Sequence, residues 1–237
     1  MAESALEVVL RRDRYVVIAA IAVLAALAWV YILWLAGDMG SAGPPTGDME
    51  MSDDAEEMAM PSLRPWTPAD FAFAVGMWAV MMVGMMTPSA APMILLYARV
   101  GRQAAMRGRP IAATGWFTAG YLMVWAGFAF VAAAAQSVLE QLALLDPMLA
   151  SSSAVFGGMV LIVAGVYQWT PLKNACLSLC QSPVVFMQRY GGFRPESLDS
   201  LTVGARHGAY CVGCCWALMG LLFVGGVMNV LWIAAIS

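Results

Sequence analysis

The sequence predicts an all-α bundle of transmembrane helices, and its composition and hydropathy are the observations behind this prediction. Of its 237 residues, 62% are hydrophobic and 11% are charged, whereas a soluble domain has about 45–50% apolar and about 25% charged residues. The apolar residues form continuous runs of roughly the 20 residues that a helix needs to cross the hydrocarbon core. Because the runs do not alternate with polar residues, they exclude β-barrel strands. The composition also excludes an ordinary soluble enzyme, a disordered tail and a basic nucleic-acid binder.

Five spans are predicted in a single integral membrane domain that covers residues 1–237. They lie at about residues 16–36, 71–98, 113–135, 151–169 and 209–236. The first run is longer than the roughly 7–15 apolar residues of a secretory signal, and no small-residue cleavage site follows it. We therefore expect an uncleaved anchor there. The last span reaches Ser237 without a flanking charge, which leaves open whether the natural protein continues.

The positively charged residues predict the orientation. Arginines 11, 12 and 14 precede the first span, four more lie between the second and third spans, and Lys173 and three arginines lie between the fourth and fifth. Such residues concentrate on the cytoplasmic side of a membrane protein. We therefore expect a cytoplasmic N-terminus in the bacterial inner membrane, with Arg64 alone outside and the lipid bilayer as the surrounding partner.

The predicted outer loop, residues 37–70, combines acidic residues with methionine. Gly, Ser and Pro fill much of it, so we expect a flexible segment without a core. Its methionines are Met39, Met49, Met51, Met58 and Met60. Thioethers select Cu(I) and carboxylates attract any cation, so the loop is either a solvated connection or a collector of soft cations. It has no histidine, which argues against Cu(II) or Zn(II).

The second predicted span carries methionines at helical spacing. Met77, Met81 and Met85 repeat at i, i+4 and i+8, which places them on one helix face. Met82 and Met86 form a second pair at the same spacing. Two thioethers one turn apart can hold Cu(I), but methionine is also an adaptable apolar filler, so both interpretations stay open. Pro88 and Pro92 predict an interruption of this helix.

All five cysteines lie between residues 176 and 215. Cys176 and Cys180 are spaced i, i+4 in the predicted cytoplasmic segment, residues 170–208, and three more open the fifth span. Thiols on the cytoplasmic side stay reduced, so structural disulfides are not expected.

The only histidine shares a helix face with two of these cysteines. His207, Cys211, Cys215 and Met219 are spaced i, i+4, i+8 and i+12. Cys214 is rotated by about 100° from Cys215, so we expect it to contribute least to a metal site on this face. Cys176 and Cys180 would complete the site from the preceding segment.

This ligand set is soft, which selects Cu(I) first and Zn(II) second over magnesium or calcium. The alternative is that cysteine acts as a small apolar residue in membrane helices. The spacing does not match the paired CxxC of a zinc ribbon or an established iron–sulfur pattern. A Cys–His hydrolase is disfavoured because no motif for an oxyanion hole accompanies the pair.

Four motifs resemble those of a family of bacterial integral membrane proteins: MWAVMMVGMMTPSAAPM, YQWTPLK, RHGAYCVGCCWALM and GGVMN. Members of this family are described as metal-binding membrane proteins, and some are labelled copper chaperones. The resemblance extends from the first span to the end of the chain. It implies an inner-membrane protein that holds copper at the Met and Cys motifs.

The predicted function is non-enzymatic handling of Cu(I): relay, transport or delivery to a cuproenzyme through Met and Cys/His ligands. The outer loop would collect the ion, the methionine face would pass it on, and the cysteines would hold it. Two alternatives stay open. One is a non-catalytic subunit or assembly factor of a larger membrane complex, and the other is a membrane thiol redox protein. No P-loop or other nucleotide motif is present, so a nucleotide is not an expected partner. Nucleic acid is not an expected partner either, because the composition excludes a basic nucleic-acid binder.

Overall fold

The computed structural model describes residues 5–41, 66–108, 112–146, 149–190, 193 and 195–237. These residues form a helical bundle, which confirms the predicted all-α class. In chain order the helices are α1 (Ala5–Ser41), α2 (Pro68–Met106), α3 (Thr114–Gln141), α4 (Ala154–Gln168), α5 (Pro171–Gln181), α6 (Pro183–Arg189), α7 (Ser197–Gly220), α8 (Leu222–Gly225) and α9 (Val230–Ile236). Residues 42–65 of the predicted outer loop lie outside the described residues, so the role of that loop stays a prediction.

Among the described residues, four stretches are long and apolar enough to cross a membrane: Tyr15–Gly37, Pro68–Met106, Thr114–Gln141 and Ser197–Gly225. Helices α4 and α5 meet the same test only as a pair, bent by 66° at their junction. This part of the chain thus has four candidate membrane spans, or five if the bent pair counts as one. The cytoplasmic N-terminus stays a prediction.

The fourth and fifth predicted spans differ from the helices. Helix α4 has 15 residues, about 22 Å of rise, which is short of the roughly 30 Å hydrocarbon core. The chain turns at Thr170, whose side chain caps α5 while Pro171 occupies its first turn. The predicted run 209–236 is divided among α7, α8 and α9, and Gly226, which has a φ of 96°, ends the helical path between α8 and α9.

Helix α7 also begins at Ser197, inside the segment predicted to be cytoplasmic. Its first turns are only moderately apolar, but they pack on α3 through small residues. A Cβ on Gly120 would lie 2.0 Å from the Leu201 carbonyl oxygen, and one on Gly204 would lie 1.9 Å from that of Phe117. The two backbones are therefore in direct contact, as small residues allow in membrane bundles.

Helix α2 continues through Pro88 and Pro92, so the predicted interruption of the helix is wrong. Side chains of other residues supply hydrogen bonds beside these prolines. The Met86 carbonyl accepts from the hydroxyls of Ser89 at 2.8 Å and Tyr121 at 2.9 Å. Helix α2 is thereby tied to α3 near its midpoint.

Candidate metal centre

Three thiols from two helices form the candidate metal centre. Cys180 lies on α5, and Cys211 and Cys214 lie on α7. Their sulfur atoms all lie within 4.8 Å of one another. Cys211 and Cys214 are buried and Cys180 is half-buried, so an ion held there would be largely enclosed by protein.

Local sequence brings α5 against α7. The Thr170 cap and Pro171 start α5 directly after α4, which turns the chain back along α7. Gly213 leaves room for the approach, since a Cβ there would lie 2.9 Å from the Cys176 sulfur. The Tyr167 hydroxyl donates to the Gly213 carbonyl and so ties the end of α4 to the same turn of α7.

Cys176 and Cys215 lie beside the three-thiol group without belonging to it. The Cys215 thiol donates to the Cys211 carbonyl at 2.8 Å, as the Cys214 thiol does at 3.0 Å. Cys214, which the helix-face argument ranks last, is thus a member of the group, and Cys215 is not. Relative to Cys211, residues at i+3 and i+4 are rotated by about −60° and +40°, and α5 approaches on the i+3 side.

Tyr121 is a contact that sequence reasoning missed. Its hydroxyl lies 3.4 Å from the Cys211 sulfur and donates to the Met86 carbonyl at 2.9 Å. The side chain is fully buried. The only signal in the sequence was a tyrosine inside an apolar span, and buried tyrosine hydroxyls usually find a partner.

His207 lies one turn before Cys211 and is 1% exposed. Aromatic rings enclose it, with centroid distances of 5.9 Å to Phe117, 5.9 Å to Tyr121 and 5.1 Å to Phe186. Its Nδ1 has no hydrogen-bond partner among the described residues. A buried nitrogen without a partner costs about 1–3 kcal/mol, so a ligand or water that reached it would stabilise the site.

The predicted methionine ligands are all in the core. Their exposed fractions are 7% or less for Met77, Met81, Met82, Met85, Met86 and Met219. Burial suits a packing role and a coordinating role equally well. Their assignment as ligands, like that of His207 and the cysteines, stays a prediction.

The fold and this site together define a class: a helical protein with several candidate membrane spans and a cluster of three cysteine thiols between two of its helices. A family model described as PpoB2, copper chaperone, matches residues 75–237. That range is more than half of the chain, so the protein belongs to this family, and the resemblance noted from its motifs is confirmed. The match includes all five cysteines and the methionines of α2. Among curated proteins and among solved structures, no match was found.

Proposed function

We propose that the protein carries Cu(I) within the membrane on the thiols of Cys180, Cys211 and Cys214 and delivers it to a cuproenzyme. The observation that carries the proposal is the mutual distance of the three sulfurs, 4.8 Å or less. Thiolates bound to one zinc ion at about 2.3 Å lie at most about 4.6 Å apart. The group therefore needs little rearrangement to close on a metal ion of similar size.

Ligand number favours Cu(I) over Zn(II) at this position, because the group offers three thiols. One Cu(I) with two thiolates carries a single negative charge. The third ligand can then stay neutral, as a thiol or as the imidazole of His207. Zinc prefers four ligands in a tetrahedron and would have to recruit His207 or Cys215 as well. Copper handling also agrees with the family to which the chain belongs.

Delivery requires that the ion leave as well as bind. An ion held by three sulfurs can leave stepwise: it releases one sulfur and accepts a ligand from the partner before the next sulfur departs. The acidic, methionine-containing outer loop and the α2 methionines would supply the ion from the other side. This is a carrier role without catalysis, in the bacterial inner membrane.

The proposal is tested by competition titration of the detergent-purified protein against a chromogenic Cu(I) chelator without oxygen. Cys180→Ser, Cys211→Ser and Cys214→Ser should each lower the affinity by at least about 100-fold, because thiolate-rich sites gain a few kcal/mol per ligand. Cys176→Ser is the matched control from the same pair of helices and should stay close to wild type. Wild-type affinity in all three variants would refute the proposal and leave a structural subunit as the better interpretation.

The closeness of these thiols also favours a second function, dithiol–disulfide exchange. Two thiols would lose their protons and form one S–S bond, while the disulfide of a partner protein would be reduced to two thiols. Counting free thiols in metal-free protein after mild oxidation tests this alternative. Loss of two thiols that Cys211→Ser prevents, together with absent Cu(I) binding, would favour the redox function over copper delivery.

A further inference from the structure

A second set of metal-compatible side chains lies far from the thiols. A cavity of about 340 Å³ is lined by Trp66, Asp70, Met77, Gln136, Glu140 and Met228, among others. Gln136 follows Tyr121 by 15 positions on α3, about 22 Å of helical rise. The cavity therefore lies well away from the three-thiol group along the bundle, at the end where residue 66 leaves the predicted outer loop.

Hydrogen bonds in the cavity wall fix the position of the Glu140 carboxyl group. The Trp78 indole, which can only donate, donates to Gln136 Oε1 at 2.8 Å. The other end of that amide is therefore its NH₂ group, which donates to Glu140 Oε1 at 2.8 Å. The Trp66 indole donates to Glu140 Oε2 at 2.9 Å. Both carboxyl oxygens thus accept a hydrogen bond from an N–H donor.

A negative charge on Glu140 is unfavourable at this position unless a cation accompanies it. Glu140 is in the last turn of α3, where the helix dipole is negative and disfavours an anion. It forms no ion pair with any residue that the structure describes. An ionisable group within a transmembrane helix normally has a partner or a function.

The remaining walls select the kind of cation. Met77 and Met228 line the cavity and are 3% and 4% exposed, and thioethers favour soft ions such as Cu(I) over hard ones. We propose that this cavity is a second binding site, for one Cu(I), with Glu140 as the charged group and Met77 and Met228 as the thioether ligands. The choice of copper rests on the proposed function, and the cavity would load the protein from the loop side.

The test counts Cu(I) ions per chain, with the Cu(I) complex of a chromogenic chelator as the probe. We expect two ions in the wild type and one in Met77→Leu/Met228→Leu, which keeps volume and apolarity and removes both thioether sulfurs. Glu140→Gln should also bind one ion. The control for the methionine variant is Met123→Leu at an exposed position on α3, and the control for Glu140→Gln is Glu196→Gln at the start of α7. Both control variants should bind two ions.

Removing the thiols in the same experiment separates the two proposals. Cys180→Ser/Cys211→Ser/Cys214→Ser should bind one ion, and combining it with the double methionine variant should bind none. Cavity variants that still bind as many ions as the wild type would overturn the cavity site while the thiol site stands. A thiol variant that retains every ion would overturn the thiol site instead. If the thiol variant fails to fold, the cavity variants in the native background still decide the inference.

Discussion

The hydroxyl of Tyr121 has one proton and two neighbours that can use it. With Cys211 as a thiol, the phenol donates to the Met86 carbonyl at 2.9 Å and can accept from the sulfur at 3.4 Å. With Cys211 as a thiolate bound to copper, the same hydroxyl can turn and donate to the sulfur. A single side chain on α3 thus links the methionine helix α2 to the thiols of α7.

Tyr121→Phe should therefore weaken Cu(I) binding by about 10-fold. A hydrogen bond to a charged acceptor is worth about 1.5–3 kcal/mol. The hydroxyl gives up its bond to the Met86 carbonyl when it turns to the sulfur, so only part of this free energy favours copper binding. Chelator competition measures the change. Tyr97→Phe is the control, since it also removes a buried hydroxyl bond, to Ser200, but has no contact with Cys211. Equal affinities for Tyr121→Phe and wild type would show that the hydroxyl serves packing alone.

The two neighbouring cysteines of α7 should differ in their effect on copper binding. Cys214 belongs to the three-thiol group and Cys215 does not, so Cys214→Ser should lower the Cu(I) affinity more than Cys215→Ser. The same chelator titration gives the order. The helix-face argument from the sequence predicts the opposite order, so the measurement decides whether Cys214 or Cys215 is the α7 partner of Cys211.

At the scale of elements, the contact of α3 with α7 positions the thiol site. Gly204→Ala would place a methyl group 1.9 Å from the Phe117 carbonyl oxygen, and overpacking of this kind costs about 1–3 kcal/mol or more. We expect a lower unfolding temperature and weaker Cu(I) binding, because α7 must move. Gly127→Ala on α3 meets nothing within 4 Å and should unfold at or slightly above the wild-type temperature, since alanine is the better helix former.

The methionine face of α2 gives a further test at this scale. Met81→Leu/Met85→Leu keeps volume and should cost less than about 1.5 kcal/mol per position, so the protein should still fold. If these thioethers pass Cu(I) along α2, copper delivery in cells should fall. A copper-dependent growth assay, with Met123→Leu as the exposed control, measures it. Unchanged delivery would return these residues to a packing role.

The whole molecule has two candidate sites at different heights along the bundle, so its orientation decides the direction of supply. The charge distribution predicts that the outer loop faces the periplasm and that residues 99–109 face the cytoplasm. In a cysteine-free background, Asp53→Cys should react with a membrane-impermeant maleimide in intact spheroplasts, and Ala104→Cys should not. The reverse labelling would place the cavity at the cytoplasmic side and invert the proposed path.

Composition and spacing along single helices were enough to predict a large part of this protein. The apolar runs identify a helical membrane bundle, and the motifs around Met77–Met93 and Arg206–Met219 place it in its family. Such features are local, because a run of apolar residues is driven into the membrane whatever its neighbours are. The same is true of the clustering of Cys211, Cys214 and Cys215 at helical spacing.

Tertiary structure decided which of these residues meet. The choice of Cys214 over Cys215 follows from the side on which α5 approaches α7, and the contact of Tyr121 with Cys211 follows from the glycines that bring α3 and α7 together. The donors around Glu140 come from Trp66 and Gln136, 74 and 4 positions away along the chain. Helical periodicity specifies the angle of a side chain around its own axis, but the neighbour it faces depends on packing between distant segments, which no local pattern contains.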